Sequence, residues 1–230
     1  MKLARTSVTH PLIIEDIRIP GKGTIGLTFC PGKIDDRAMT GSWDRDLDID
    51  IEAIAEWKPD LILTLMESHE FALLQRPELP QAMTNRFPGW RHLPVVDLGV
   101  PDEVFQQSWN SIGPEARSAL RNGGRVLVHC RGGIGRTGVI GAQLLMEFGA
   151  TADEAIGRVR KNNSARIETR EQEAYVRAQE WADPVKDRVY GMMLGAAIGD
   201  ALGSAFEFMS SESIRCSVGS AFVREYCVGQ

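Results

Sequence analysis

The chain has 230 residues, enough for one well-buried core with material left over. Hydrophobic residues make up 43% and charged residues 25%, which excludes a disordered or fibrous protein and implies a packed one. The formal charge is −5 and no lysine- or arginine-rich run stands out, so nucleic acid and anionic membrane are not expected partners.

Residues 1–16 lack the apolar stretch of a signal peptide. The most apolar run, Val189 to Gly199, falls short of the ~20 residues a membrane span needs, so a cytoplasmic protein is expected. Cys30, Cys130, Cys216 and Cys227 form no C-x-x-C pair and no zinc-ligand spacing with the histidines. Reduced thiols and no metal are therefore expected.

From Thr24 to about Trp181, short apolar runs alternate with segments of helical period. The pattern predicts an α/β fold with a central, mainly parallel sheet flanked by helices. Strands are expected near Ile25–Phe29, Leu61–Leu65, Leu93–Val96 and Arg125–His129. The apolar spacing of Leu47, Ile51, Ile54 and Ala55 predicts a helix over Leu47–Trp57, stopped by Pro59. A second helix runs from about Glu103 to Leu120 and ends at Asn122-Gly-Gly124. The segment after Gly138 is apolar nearly all round, which predicts a central buried helix closed by Gly149. Thr151-Ala-Asp-Glu154 and Thr169-Arg-Glu-Gln172 fit the capping box and open two more helices. Around Ala182-Asp-Pro184 the character changes, and a glycine- and alanine-rich helical segment, Asp187 to Phe208, follows. The division read is 1–182, a linker at 183–186, and 187–230.

The chemistry lies in His129-Cys-Arg-Gly-Gly-Ile-Gly-Arg-Thr-Gly138, between a strand and a buried helix. A glycine-rich loop at a helix N-terminus turns backbone N–H groups inward and forms a site for a phosphate dianion. Arg131, Gly132, Gly133, Ile134, Gly135 and Arg136 are the candidate phosphate-binding residues, with Gly132, Gly133 and Gly135 permitting the backbone angles. The same field favours thiolate at the loop's start, where Cys130 sits. Arg136 is expected to fold back over the loop and take two phosphoryl oxygens bidentately. The Thr137 hydroxyl stands ready to donate to the thiolate, and His129 to fix the loop.

This loop, with five residues between cysteine and arginine, resembles the signature of the cysteine-dependent tyrosine and dual-specificity phosphatases. Thr28-Phe-Cys-Pro-Gly-Lys33, Leu63-Thr-Leu65, Pro94 to Asp102 and Arg166-Ile-Glu-Thr-Arg-Glu-Gln172 are similar in order and spacing to the kinase-associated branch. The resemblance implies attack by Cys130 on phosphorus, a phosphocysteine intermediate, and no cofactor. It implies a general acid upstream, for which Asp97 at a strand end is preferred to Asp102, a candidate helix N-cap. The same carboxylate then activates water, with Gln172 a candidate to position it. Substrates would be phosphotyrosine proteins, in the wider reading phosphoserine and phosphothreonine, or small phosphomonoesters. The alternatives are a phosphate-binding pseudophosphatase and a thiol redox enzyme.

Asp187 to Phe208 resembles the opening of ADP-ribosylglycohydrolases. It implies the N-terminal part of a truncated domain lacking the paired-aspartate magnesium motif, with Glu207 idle. The phosphatase would then be the regulatory half of a fusion.

Overall fold

The computed structural model describes residues 4–38, 40–179 and 192–200. The chain divides into two compact units, 1–181 and 182–230. The first holds a five-stranded sheet in the order β1-β2-β7-β5-β6, with β1 (Glu15–Arg18), β2 (Thr24–Phe29), β5 (Leu61–Thr64), β6 (Trp90–His92) and β7 (Arg125–Cys130). Strands β2, β7, β5 and β6 are parallel, and β1 pairs antiparallel with β2 at the edge. Two short strands, β3 (Ile34–Asp35) and β4 (Trp43–Asp44), make a separate ribbon.

Strand β7 sits at the centre of the sheet, and its side chains alternate between two cores. Val126, Val128 and Cys130 face one core with α4 (Glu103–Arg121), α5 (Gly135–Met146), α6 (Ala152–Arg160) and α7 (Arg170–Ala178). Leu127 faces the other with α1 (Leu47–Trp57), α2 (Ser68–Leu73) and α3 (Leu79–Arg86). Every residue of α5 is buried, as its all-round apolar sequence demands. Burying Val139, Ile140, Leu144 and Leu145 contributes roughly 1.5–3 kcal/mol each.

Local signals explain the helix ends. Asp46 caps α1 by accepting from Ile49 N at 3.0 Å, and Lys58 closes it in the left-handed region. Thr151 and Thr169 form the capping boxes the sequence predicts. Asp102 caps α4, its Oδ1 accepting from Phe105 N at 2.9 Å.

Three expectations need correction. The strand expected at Leu93–Val96 lies earlier, at Trp90–His92. Leu93 and Val95 still donate to Thr64 and Leu65, but Pro94 has no N–H and the regular ladder stops. Asp97 therefore follows an irregular segment instead of ending a strand. The buried helix opens at Gly135, not after Gly138, which places Arg136 and Thr137 in its first turn.

A buried ion pair ties the N-terminal segments to α1. Arg45 bonds both oxygens of Asp50 at 2.7 Å and donates to His10 O, while Gly32 N donates to Asp50 at 2.8 Å. In the second unit, residues 192–200 are helical and exposed. The rest of the expected segment Asp187 to Phe208, with Glu207, Cys216 and Cys227, lies outside the described residues. Among those described, no helix is long and apolar enough to cross a membrane.

Candidate active site

The C-terminal ends of parallel strands are where open α/β sheets place ligands. Here the ends of β7 and β2, paired Phe29 to Cys130, open into a cavity of about 490 Å³. Cys130, residues 131–136, Asp97 and Glu168 line it. Cys130 is a free thiol, 2% exposed. The loop turns at Gly133, whose φ is +69°. A Cβ there would stand 2.7 Å from Thr28 O, so only glycine fits. Gly132 and Gly135 are absent from the positive-φ residues, and Gly135 serves close approach instead. A Cβ on it would meet Gln172 Nε2 and Oε1 at 2.9 Å and Glu168 Oε2 at 3.1 Å.

The loop passes directly into α5, whose first N–H groups have no acceptor within the helix. Arg166 donates to Gly133 O at 3.3 Å, to Val159 O at 3.3 Å and to Glu15 at 3.0 Å. This grip holds the Gly133 carbonyl against Arg166. The Arg131 side chain pairs with Asp35 at 2.8 Å, so its place in the site is through the backbone.

Arg136 is buried and heavily engaged. Its Nη1 meets Glu70 Oε2 at 2.5 Å, Val95 O at 3.0 Å and Leu65 O at 3.3 Å, and its Nη2 meets Glu70 Oε1 at 2.9 Å. Nη2 also lies 2.8 Å from Asp97 Oδ1. The guanidinium thus stands in a collar of acceptors beside the loop, where the sequence expects it to arch over. Burial opposes its charge, but the bonds to Glu70 and the neighbouring anionic groups outweigh burial and hold it protonated. Burial likewise raises the affinity of Glu70 for a proton, and the Arg136 bonds reverse this, leaving its carboxyl below the usual range.

Behind the loop, His129 is fully buried, and burial lowers its pKa from 6.5 to about 4 against a bond to the Cys130 backbone. Its Nε2 lies 2.7 Å from Thr64 Oγ1, which already accepts from Trp90 Nε1 at 2.8 Å. Burial is what keeps the imidazole neutral. Thr137 Oγ1 is buried without a hydrogen-bond partner among the described residues. Cys30 points to the opposite core from Cys130, and burial pushes its thiol far up.

Gln172 sits where the sequence looked for a water-positioning group, but its amide is committed. Oε1 accepts from Glu168 N at 2.9 Å and Thr169 N at 3.4 Å, and Nε2 donates to Gly99 O at 2.9 Å. It therefore ties the Asp97 and Glu168 segments together. Asp102 is occupied as the α4 cap, and the cavity wall does not include it.

Three residues escape sequence reasoning. Glu70 follows Glu67 in an E-x-x-E capping box, a weaker signal than the threonine boxes. Glu168 lies inside a quoted motif without a role, and its carboxyl faces the loop. Lys33 is buried with its ammonium 4.5 Å from the Trp43 ring centre and 4.7 Å from that of Phe29. Burial lowers its pKa to about 8, partly offset by the surrounding thiols and Asp35.

Comparison with known proteins decides the family. The profile described as the Swiss Army Knife protein, DSP-PTPase phosphatase domain matches residues 37–181. The chain belongs to this family. The chain is 40% identical over 75 residues to the tyrosine-protein phosphatase CDC14 of Saccharomyces cerevisiae. That stretch is 31% of this chain and spans 13% of the relative's length. Kinase associated phosphatase, solved with its catalytic-site cysteine changed to serine, superposes with a TM-score of 0.62 at 23% identity. The match covers 72% of this chain and 92% of that one. PTPMT1 in complex with PI(5)P gives 0.51 at 17% identity, over 76% of this chain and 98% of that one. These likenesses show a shared fold. A short match to ADP-ribosylglycohydrolase covers residues 181–229. The expectation of that domain's N-terminal portion is thereby corrected to a small match at the C-terminal end of this chain, beginning at 181 and not 187.

Proposed function

We propose that the phosphatase hydrolyses phosphomonoesters through a phosphocysteine on Cys130. The observation that carries this is one cavity holding the Cys130 thiol and the Arg136 guanidinium at the N-terminus of α5. Backbone N–H groups from Arg131 to Arg136, with the helix dipole, cradle the phosphoryl oxygens. Arg136 turns its fork from Asp97 to two of them and stabilises the charge that builds during transfer. Sulfur attacks phosphorus, the ester P–O bond breaks, and Asp97, half-exposed beside the clamp, protonates the leaving oxygen. Thr137 Oγ1 then donates to the sulfur as it leaves. His129 and Gln172 support the loop from behind.

The substrates of this reading are phosphotyrosine proteins, with phosphoserine, phosphothreonine and small phosphomonoesters in the wider range. The location is cytoplasmic, in keeping with free Cys30 and Cys130. The phosphatase portion extends to about residue 182, followed by a short linker at 183–186 and an appendage at 187–230. That division is supported by the family match ending at 181 and the compact unit ending at Trp181.

Cys130→Ser tests the proposal. Aryl phosphate hydrolysis is expected to fall to the background rate, and vanadate is expected to shield the native thiol from iodoacetate. Wild-type turnover in Cys130→Ser rejects it.

A further inference from the structure

We propose that Glu168 is the general base that activates water in the second half of the reaction, while Asp97 serves the first half as acid. This inference rests on the phosphocysteine reading above. The two carboxyls line one cavity with Cys130 but stand in different company. Asp97 lies 2.8 Å from Arg136 Nη2. Glu168 has no hydrogen bond or ion pair to its carboxylate among the described residues, so its lone pairs are free for water.

Its placement is built, not incidental. Glu168 Oε2 lies 3.1 Å from where a Cβ on Gly135 would be, so the loop's glycine is what admits the carboxyl. Ile167, just before it, has φ +57°, a conformation a β-branched residue adopts only under constraint. Three contacts impose that turn: Ile167 N donates to Ile134 O at 3.4 Å, Arg160 donates to Ile167 O at 3.0 Å, and Gln172 accepts from Glu168 N at 2.9 Å. Leu98, next to Asp97, carries the same kind of strain, with φ +60°. Both acid–base candidates therefore follow or precede a residue held in the left-handed region, where strain marks functional positions.

The charges facing Glu168 are those of Asp97 and Arg136. Burial raises its pKa first, Asp97 raises it further, and Arg136 lowers it. A carboxylate with raised proton affinity is a stronger base near neutral pH. In the step itself the water oxygen bonds to phosphorus and its proton passes to Glu168. The P–S bond breaks with its electron pair returning to Cys130, and solvent then takes the proton from Glu168.

The experiment is rapid-mixing hydrolysis of p-nitrophenyl phosphate by the full chain and its Glu168→Gln and Asp97→Asn variants. Glu168→Gln is expected to release one p-nitrophenol per enzyme in a burst at the native rate. Its steady state should then fall on the order of 100-fold, with phosphocysteine accumulating and the acidic limb of the kcat profile lost. Asp97→Asn is expected to slow the burst itself. The inference is overturned if Glu168→Gln keeps native steady-state turnover, or if its burst slows as that of Asp97→Asn does. Failure of the underlying reading looks different: no phosphoenzyme in the unaltered protein, or a burst surviving in Cys130→Ser.

Discussion

His129 adjoins Cys130 and is fully buried. Because its folded pKa of about 4 lies below the ordinary 6.5, the unfolded chain binds its proton first as pH falls. The stability this residue contributes is complete above about pH 6.5 and is lost as pH falls through 4, on the order of 3 kcal/mol across the window. Thermal melts at pH 7 and pH 5 should show the native protein losing more than a His129→Asn variant loses. An equal loss in both would remove His129 as the cause. At this scale the sequence was legible where chemistry fixes the spacing, as in Cys130 and Arg136. It was not legible for Glu70 or Glu168, because what joins them to Arg136 and Gly135 is contact across the fold.

Among the elements, α1, α6 and α7 were readable because caps and apolar period lie within a few residues of each other. The ribbon β3–β4 and edge strand β1 were not, since two to four residues carry too little pattern to announce a strand. Helix α2 was missed for its glutamate cap, yet it delivers Glu70 to the clamp. Removing one partner of a buried ion pair leaves the other uncompensated, at a cost of about 3–5 kcal/mol. Glu70→Ala is therefore expected to lower the denaturation midpoint and to weaken inhibition by inorganic phosphate, since Arg136 loses its orientation. A variant that melts lower yet binds phosphate normally would confine Glu70 to stability.

For the whole molecule, the parallel sheet and its helical cover follow from the alternation of apolar runs, while strand order does not. Neighbours β7 and β5 are joined through β6 and α4, and nothing local in the chain encodes that crossover. The compact unit ending at Trp181 contains every residue assigned to the site. A chain shortened to residues 1–181 is expected to keep the kcat of the full protein on p-nitrophenyl phosphate. A marked loss would assign the last segment a part in catalysis.

One oxygen on α2 joins the helix start to Arg136. Glu70 Oε2 accepts from Glu67 N at 2.8 Å, starting the helix, and from Arg136 Nη1 at 2.5 Å. The start of that short helix and the seating of the Arg136 guanidinium therefore share one acceptor. Unwinding the first turn would free the Arg136 guanidinium from Glu70 without touching Cys130.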